Sequence, residues 1–326
     1  MKRKILSGLL IATGFLLNAC QKDIDVFIPD AGQLNGPDTS WYSSITATMP
    51  VTSLKNNLAA DFYHDSIQVN ANNAYIVTPS GLQCGFPPNC CVSNTGQAIT
   101  GSVQVELMLI KNKGEMIRMN KPTASNGRLL VSGGEIFIRL KKDGNEVQLA
   151  PNKRILIRYP DVPLSTQMKF FAGDESNAER FNWLPVTDTL NTVGVGTQFY
   201  EINTNHLRWI NCDYFYDTTG ISRVTVTAGL EAYFTNANTM AFTVFKDLRS
   251  VVGMYGNIST RKFSTGKIPA GKAITVVVLS KQGNDYFLGS EHTVTALPTS
   301  GAATQHVVVK PVKRSLAEIL NFLNTL

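Results

Sequence analysis

Histidine, tryptophan and charge are all scarce here: the 326 residues include 4 histidines and 3 tryptophans, and 17% are charged. None of His64, His206, His292 or His306 falls in an H-E-x-x-H motif or another metal-binding spacing, so the sequence offers no metal site and no cofactor. A G-x-S-x-G nucleophile elbow is also missing, as is a glycine-rich phosphate loop leading from a strand into a helix. Lysines and arginines do not cluster among aromatics, which argues against nucleic acid as a partner. Beyond residue 20 no apolar run is long enough for a transmembrane helix. Of the formal net charge of +6, three units come from Lys2, Arg3 and Lys4 alone.

Those three cations begin an export signal. Ile5 to Leu17 is apolar and uncharged, and too short to serve as a comfortable permanent span. Leu17-Asn18-Ala19-Cys20 then matches the bacterial lipobox, in which the cysteine receives lipid and the chain is cut before it. The expectation is a signal peptide over residues 1–19, lipidation at Cys20, and attachment to a membrane through that lipid. Several acyl chains on one residue suffice for stable anchoring. Residues 20–40, polar and broken by Pro29, Gly32, Gly36 and Pro37, read as a tether.

The other cysteines are Cys84, Cys90, Cys91 and Cys212. Outside the cytoplasm such a set invites disulfides, and Cys84 with Cys90 or Cys91 would close a short loop. Zinc is the weaker reading, because C-x5-C-C lacks both the usual spacing and a neighbouring histidine.

After the tether the pattern is of strands. Val103, Val105, Leu107 and Leu109 alternate with Gln104, Glu106 and Met108, and Glu135 to Leu140 follows Gly133-Gly134. Asp143-Gly144 predicts a tight hairpin turn, and Ile155 to Tyr159 predicts a strand ended by Pro160. Further strands are predicted at His206–Cys212, Ser222–Phe234, Thr239–Lys246, Ala273–Ser280, Asp285–Gly289 and Gln305–Lys310. The fold class expected is all-β: two sandwich-like domains, 41–190 and 191–326, with the break between Trp183 and Gly196. Ser315-x-x-Glu318 has capping-box spacing, and Leu316, Ile319, Leu320 and Leu323 make one stripe, which predicts a short C-terminal helix docked on its own domain.

Three stretches resemble surface lipoproteins of the Bacteroidota type whose role is uncharacterised. They are Ile99 to Leu107 followed by Gly114-Glu115-Met116-Ile117; Lys121-Pro122-Thr123 through Asn126-Gly127-Arg128 to Ser132-Gly133-Gly134-Glu135-Ile136; and Trp209-Ile210-Asn211-Cys212-Asp213. The first two also resemble, distantly, the ZU5 β-sandwich module. Some ZU5 proteins cleave themselves at His-Phe-Ser; here Lys262-Phe263-Ser264 lacks the histidine, and that activity is not implied. Lys22, Asp23 and Asp25 are similar to the lysine-and-acid signals that send such lipoproteins to the outer face of the outer membrane, although Ile24 separates the acids.

For chemistry the candidates are thin. His206 and Cys212 would share a strand face but lie too far apart for a dyad, and Asp174, Glu175 and Glu179 sit in a polar run that reads as a solvated loop. Trp41-Tyr42, Trp183, Trp209 and Tyr214-Phe215-Tyr216 could stack on sugars, but aromatics in sandwiches mostly fill cores. Trp209, Asn211 and Asp213 are the candidate binding residues. The expected function is a non-enzymatic binding or scaffold module of the cell envelope, whose partner is an envelope protein or glycan. The alternatives are a carbohydrate-binding accessory lipoprotein and a hydrolase with an unrecognised site.

Overall fold

A computed structural model gives the architecture, and it describes residues 38–177, 179–297 and 303–326. The expected signal peptide, the lipidation site expected at Cys20 and the expected export residues Lys22, Asp23 and Asp25 lie outside the described residues. Thr39–Leu326 forms one compact unit. The chain is all-β with a short C-terminal helix, and its strands form sandwich-like sheets.

Strict alternation along the longest strands explains the layering. In β7 (Arg128–Lys142), Ile136, Ile138 and Leu140 face one way and Phe137 the other. In β5 (Gly101–Ile110), Val103, Val105 and Leu107 face the first side, and Met108 and Ile110 the second. Both faces are apolar, so this sheet has to be covered on both. Its strand order is β1-β5-β7-β14-β10-β11. Here β1 is Tyr63–Val69, β10 Lys169–Asp174, β11 Asn182–Pro185 and β14 Arg208–Phe215.

A five-stranded sheet covers the first face. Its order is β12-β13-β9-β3-β2, with β2 at Ala74–Val77, β3 Gln83–Phe86, β9 Ile155–Pro160, β12 Thr192–Val195 and β13 Phe199–Thr204. Ile157, Tyr159, Tyr200 and Ile202 from this sheet close a core with the first side of β5 and β7.

The second face meets an eight-stranded C-terminal sheet, β21-β15-β18-β17-β16-β19-β20-β22. These strands are β15 (Arg223–Gly229), β16 (Thr239–Phe245), β17 (Val251–Asn257), β18 (Lys262–Pro269), β19 (Ala273–Gln282), β20 (Asp285–Val294), β21 (Ala303–Val308) and β22 (Val312–Arg314). Met240, Phe242, Val244, Val277 and Leu279 pack against Phe137, Trp209, Phe171 and Trp183 of the central sheet. The alternate residues Ala241, Val276 and Val278 face a third core with Val224, Val226 and Ile268, inside the curl of the sheet. The curl brings β21 beside β20, where Gln305 Nε2 donates to Val294 O at 3.1 Å.

The expected boundary at 184–196 does not separate sheets. β13, on its far side, pairs with β9 from Ile155 onward, so chain from both sides builds one sheet. The change of sheet comes at 216–222, between β14 and β15. Proline, aspartate and glycine in that stretch signalled hairpin turns, not a domain linker.

The Asp143-Gly144 turn forms as predicted, joining β7 to β8 (Asn145–Leu149), with φ of 51° and 81° at its two central residues. The C-terminal helix, Leu316–Leu323, also forms; the Ser315 side chain accepts from Glu318 N and the Glu318 carboxylate accepts from Ser315 N. Ile319 and Leu323 are buried in the core between the central and C-terminal sheets, so the stripe docks on its own body. Two further helices were not predicted: α1 (Pro50–Leu58) and α2 (Lys113–Arg118), which makes the C-terminal helix α3. α2 contains Gly114-Glu115-Met116-Ile117, and it touches α3 so closely that a Cβ on Gly114 would collide with the Leu323 carbonyl. Among the described residues, no helix is long and apolar enough to cross a membrane.

Candidate functional site

β14 carries the Trp209-Ile210-Asn211-Cys212-Asp213 sequence through the middle of the central sheet, between β7 and β10. Alternation sends Ile210 and Cys212 into the core under the five-stranded sheet. Trp209 lies on the other side, 4% exposed, against Phe137 at 5.0 Å and Phe181 at 6.4 Å between ring centres. Asn211 and Asp213 have no exposed surface at all. The three residues expected to bind a partner are therefore interior ones; they join two layers of the fold.

A bulge interrupts this strand pair. Cys212 stands opposite Gly134 and Asp213 opposite Ser132, which leaves Gly133 as the extra residue. A side chain is excluded at both glycines: a Cβ at 133 would lie 2.9 Å from Cys212 O, and one at 134, where φ is +147°, 2.9 Å from the Tyr159 ring. Beside the bulge, alternation with Trp209 and Phe137 places the polar side chains of Asn211, Asp213 and Glu135 in the layer facing the C-terminal sheet. Asn211 Nδ2 donates to Asp213 Oδ2 at 2.7 Å, and the Ser132 hydroxyl takes the Gly134 N–H at 3.1 Å. Glu135, directly across from Asn211, is fully buried with neither carboxylate oxygen hydrogen-bonded, and Asp213 Oδ1 is likewise without a partner.

Burial decides the protonation of this pair. Desolvation pushes Asp213 up to about 7, against the pull of the Ser132 hydroxyl, the Asn211 amide and Gly133 N–H. Glu135 is driven well above the usual carboxylate range, by burial first and then by Asp213, with Lys121 opposing. Lys121 is itself lowered by burial; its ammonium sits 4.0 Å over the Phe181 ring and 4.8 Å over Trp209, and 3.7 Å from Glu175. A neutral Glu135 at neutral pH is the form that burial favours.

Beside the bulge, Arg249 makes a two-pronged ion pair with buried Asp161, at 2.8 and 3.2 Å, and its carbonyl accepts from Ser132 N at 3.0 Å. That pair links the end of β9 to the turn between β16 and β17. Nothing in the sequence marks either residue, since both sit in turns far apart in the chain.

The other candidates fall into structural places. Cys84, Cys90, Cys91 and Cys212 are buried free thiols, so the expected Cys84 link to Cys90 or Cys91 is not made; Cys90 and Cys91 have their sulfurs 3.5 Å apart. Burial pushes the Cys84 thiol up to about 12, and an unreactive packed thiol follows. Trp183 is fully buried, with its indole N–H on Pro122 O at 3.1 Å. Trp41 stacks on Phe263 at 5.1 Å. His206 lies against Phe170, while His292 bonds Thr275 Oγ1 at 2.7 Å. Glu175, Ser176, Asn177 and Glu179 of the polar run are exposed, as a solvated loop requires, and two of them also tie it down: Glu175 pairs with Arg208 at 2.8 Å, and Glu179 accepts from Ile45 N at 2.9 Å. Among the described residues no three of His, Cys, Asp and Glu come together as a metal site would require.

One exposed concavity stands out by its charge. β17 and β18 pair only from Tyr255–Ser264 to Asn257–Lys262; beyond that, β17 turns to β16 and β18 to β15. The strands part and leave a cleft of about 570 Å³. The tip of the hairpin between β6 (Ala124–Ser125) and β7 overhangs it, with Asn126 and Gly127 at φ of 49° and 76°. Asn126 and Asn182 lock together, N–H to Oδ1 at 2.8 Å and Nδ2 to Oδ1 at 2.9 Å. Arg128, Arg180 and Lys267 line the cleft, and no carboxylate does. An N-G dipeptide before an apolar run was the sequence signal for this hairpin.

No family model matches this chain. No curated protein matches it either.

Proposed function

We propose that this chain is an outer-membrane lipoprotein, anchored by lipid on Cys20 and displayed at the cell surface, that works as a non-enzymatic binding or scaffold module of the cell envelope. The observation that carries the reading is the complete N-terminal arrangement of cations, apolar stretch and lipobox ahead of a polar tether. Lys22, Asp23 and Asp25, directly behind the anchor, support surface display. The resemblance of three stretches to Bacteroidota-type surface lipoproteins, and distantly to the ZU5 module, supports the same class. A binding or scaffold role is further supported by where the chemically capable residues go: Asn211, Cys212, Asp213 and Glu135 are spent on joining layers. The partner is an envelope protein or a glycan. Sugar stacking on tryptophan gains no support, with Trp183 and Trp209 both buried.

Labelling cells with a clickable fatty acid tests the anchor. The native chain takes up label and Cys20→Ser does not; equal labelling of both removes the proposal. Proteinase K added to whole cells tests display. It cuts the native chain, and spares a lipidated variant with Lys22, Asp23 and Asp25 all changed to alanine. Ligand recovered after incubation with the purified chain keeps its mass; a cleaved ligand would make the chain an enzyme.

A further inference from the structure

The cleft where β17 and β18 part has three properties that together select a ligand. The first is charge. Arg128, Arg180 and Lys267 contribute three cations, and none forms an ion pair among the described residues. The one acid next to them in sequence, Glu179, is absent from the lining and has an oxygen on Ile45 N. Unpaired like charges gathered in a concavity repel one another and focus a positive field. An anionic group placed there relieves that repulsion.

The second is preorganisation. Arg128 holds its guanidinium 3.7 Å over the Phe215 ring centre, and Arg180 lies 4.9 Å over Tyr255. Stacking restricts both long side chains while leaving their N–H edges free to donate, which lowers the ordering cost of binding.

The third is the neutral lining. Asn126 and Asn182 bond each other, Asn257 Oδ1 accepts from Thr260 N and Ser264 pairs with Thr227, which leaves the Thr260 hydroxyl and the Nδ2 groups of Asn126 and Asn257 to exchange hydrogen bonds with a polyhydroxylated ligand. The volume is that of an ordinary small-ligand site.

From these we infer that the cleft binds an acidic oligosaccharide: the cations hold carboxylate or sulfate groups and the amides and hydroxyls hold ring hydroxyls. This rests on the binding-module reading and names a ligand class for it. Tryptophan stacking plays no part.

Fluorescence anisotropy with the full chain in detergent micelles provides the test, using labelled oligogalacturonate, dextran sulfate, neutral dextran and poly-glutamate as probes. At least one acidic glycan binds, neutral dextran does not, and raising salt from about 20 to about 200 mM weakens the binding. Changing Arg128, Arg180 and Lys267 together to serine weakens it by about tenfold or more. A control variant with the exposed Lys169, Lys310 and Arg154 changed to serine loses the same charge elsewhere and keeps the affinity. Equal loss in both variants reduces the effect to net charge and overturns the site. Poly-glutamate binding as tightly as the glycans overturns the glycan assignment. Binding of neither acidic glycan overturns the inference outright; the anchor and display experiments above stay unaffected, so the two readings fail separately. Lys267→Glu alone, on an exposed position, repeats the loss if the triple variant melts early by circular dichroism.

Discussion

The two faces of the central sheet are covered in different chemistries. Under the five-stranded sheet lies a layer of aliphatic side chains, two tyrosines, two phenylalanines and four buried thiols. Under the C-terminal sheet lies a layer richer in aromatics, and beside the bulge at Gly133 it also holds the buried side chains of Glu135, Asn211 and Asp213. The apolar layer holds mainly by area and has no buried carboxyl in its core. The mixed layer holds two carboxyls that stay buried most cheaply when protonated, so its strength varies with pH.

The sharpest way to break the comparison is to remove the aromatic that spans the mixed layer. Trp209→Ala empties a buried contact with Phe137 and Phe181 and is expected to cost about 3–5 kcal/mol in urea unfolding. An effect below about 1 kcal/mol would mean that the C-terminal sheet does not lean on β14.

Next in size is the pH effect. Asp213 has a folded value of about 7 and an ordinary unfolded one near 4, so the folded state binds the extra proton between them. Stability from this group is therefore complete below about 4 and falls as pH rises to about 7, by something of order 2–4 kcal/mol. His206 opposes part of this. Burial lowers it, so its contribution rises with pH up to about 6.5. The clean observable is the difference between chains: Asp213→Asn makes the fall between pH 4 and 7 shallower, with the part due to Glu135 remaining, and is the more stable protein at pH 8. Parallel pH profiles for the two proteins would put the carboxyl in water. A substitution in the apolar layer, Ile157→Val, is expected to cost about 1 kcal/mol at every pH in that range.

Smaller still is the cap of α3. Ser315→Ala removes one side of the capping box and is expected to cost about 1 kcal/mol. It should leave the fall between pH 4 and 7 as it was, because α3 brings Ile319 and Leu323 to the mixed layer and no acid to the bulge, and the Glu318 carboxyl that Ser315 holds below its ordinary value titrates at lower pH. The thiols of the apolar layer offer a test with no energy scale. Cys84, Cys90, Cys91 and Cys212 should be silent to a thiol reagent in the folded chain and all react in denaturant; a loss of two would mean that a disulfide exists.

Legibility followed the local pattern and not the layer: of the five-stranded sheet only β9 was predicted, whereas β16, β19 and β20 of the C-terminal sheet were. Val103 to Leu109, the Asp143-Gly144 turn and Ile155 to Tyr159 belong to or flank the apolar layer, where side chains alternate in and out and turns carry their usual residues. The sequence displays that period directly. Strands β10 to β13 and β17 to β18 escaped notice because they are short, hold glycine, or carry polar residues on buried positions. Gly253 and Gly256 interrupt the apolar pattern of β17, and both line the cleft. Asn211 and Asp213 looked like exposed binding groups for the same reason: polarity in a single strand does not say which layer the strand lies in.

The sequence by itself determined the all-β class, the capped terminal helix and the principal hairpin, because each depends on local periodicity or on a contiguous motif. Only the tertiary structure decided that chain on both sides of 190 builds one sheet, that Glu135 and Asp213 are sealed between layers, and that Arg128, Arg180 and Lys267 meet around one cleft. Those are contacts between residues up to 139 positions apart. They arise from how strands pair and sheets stack, and no local pattern encodes the pairing partner.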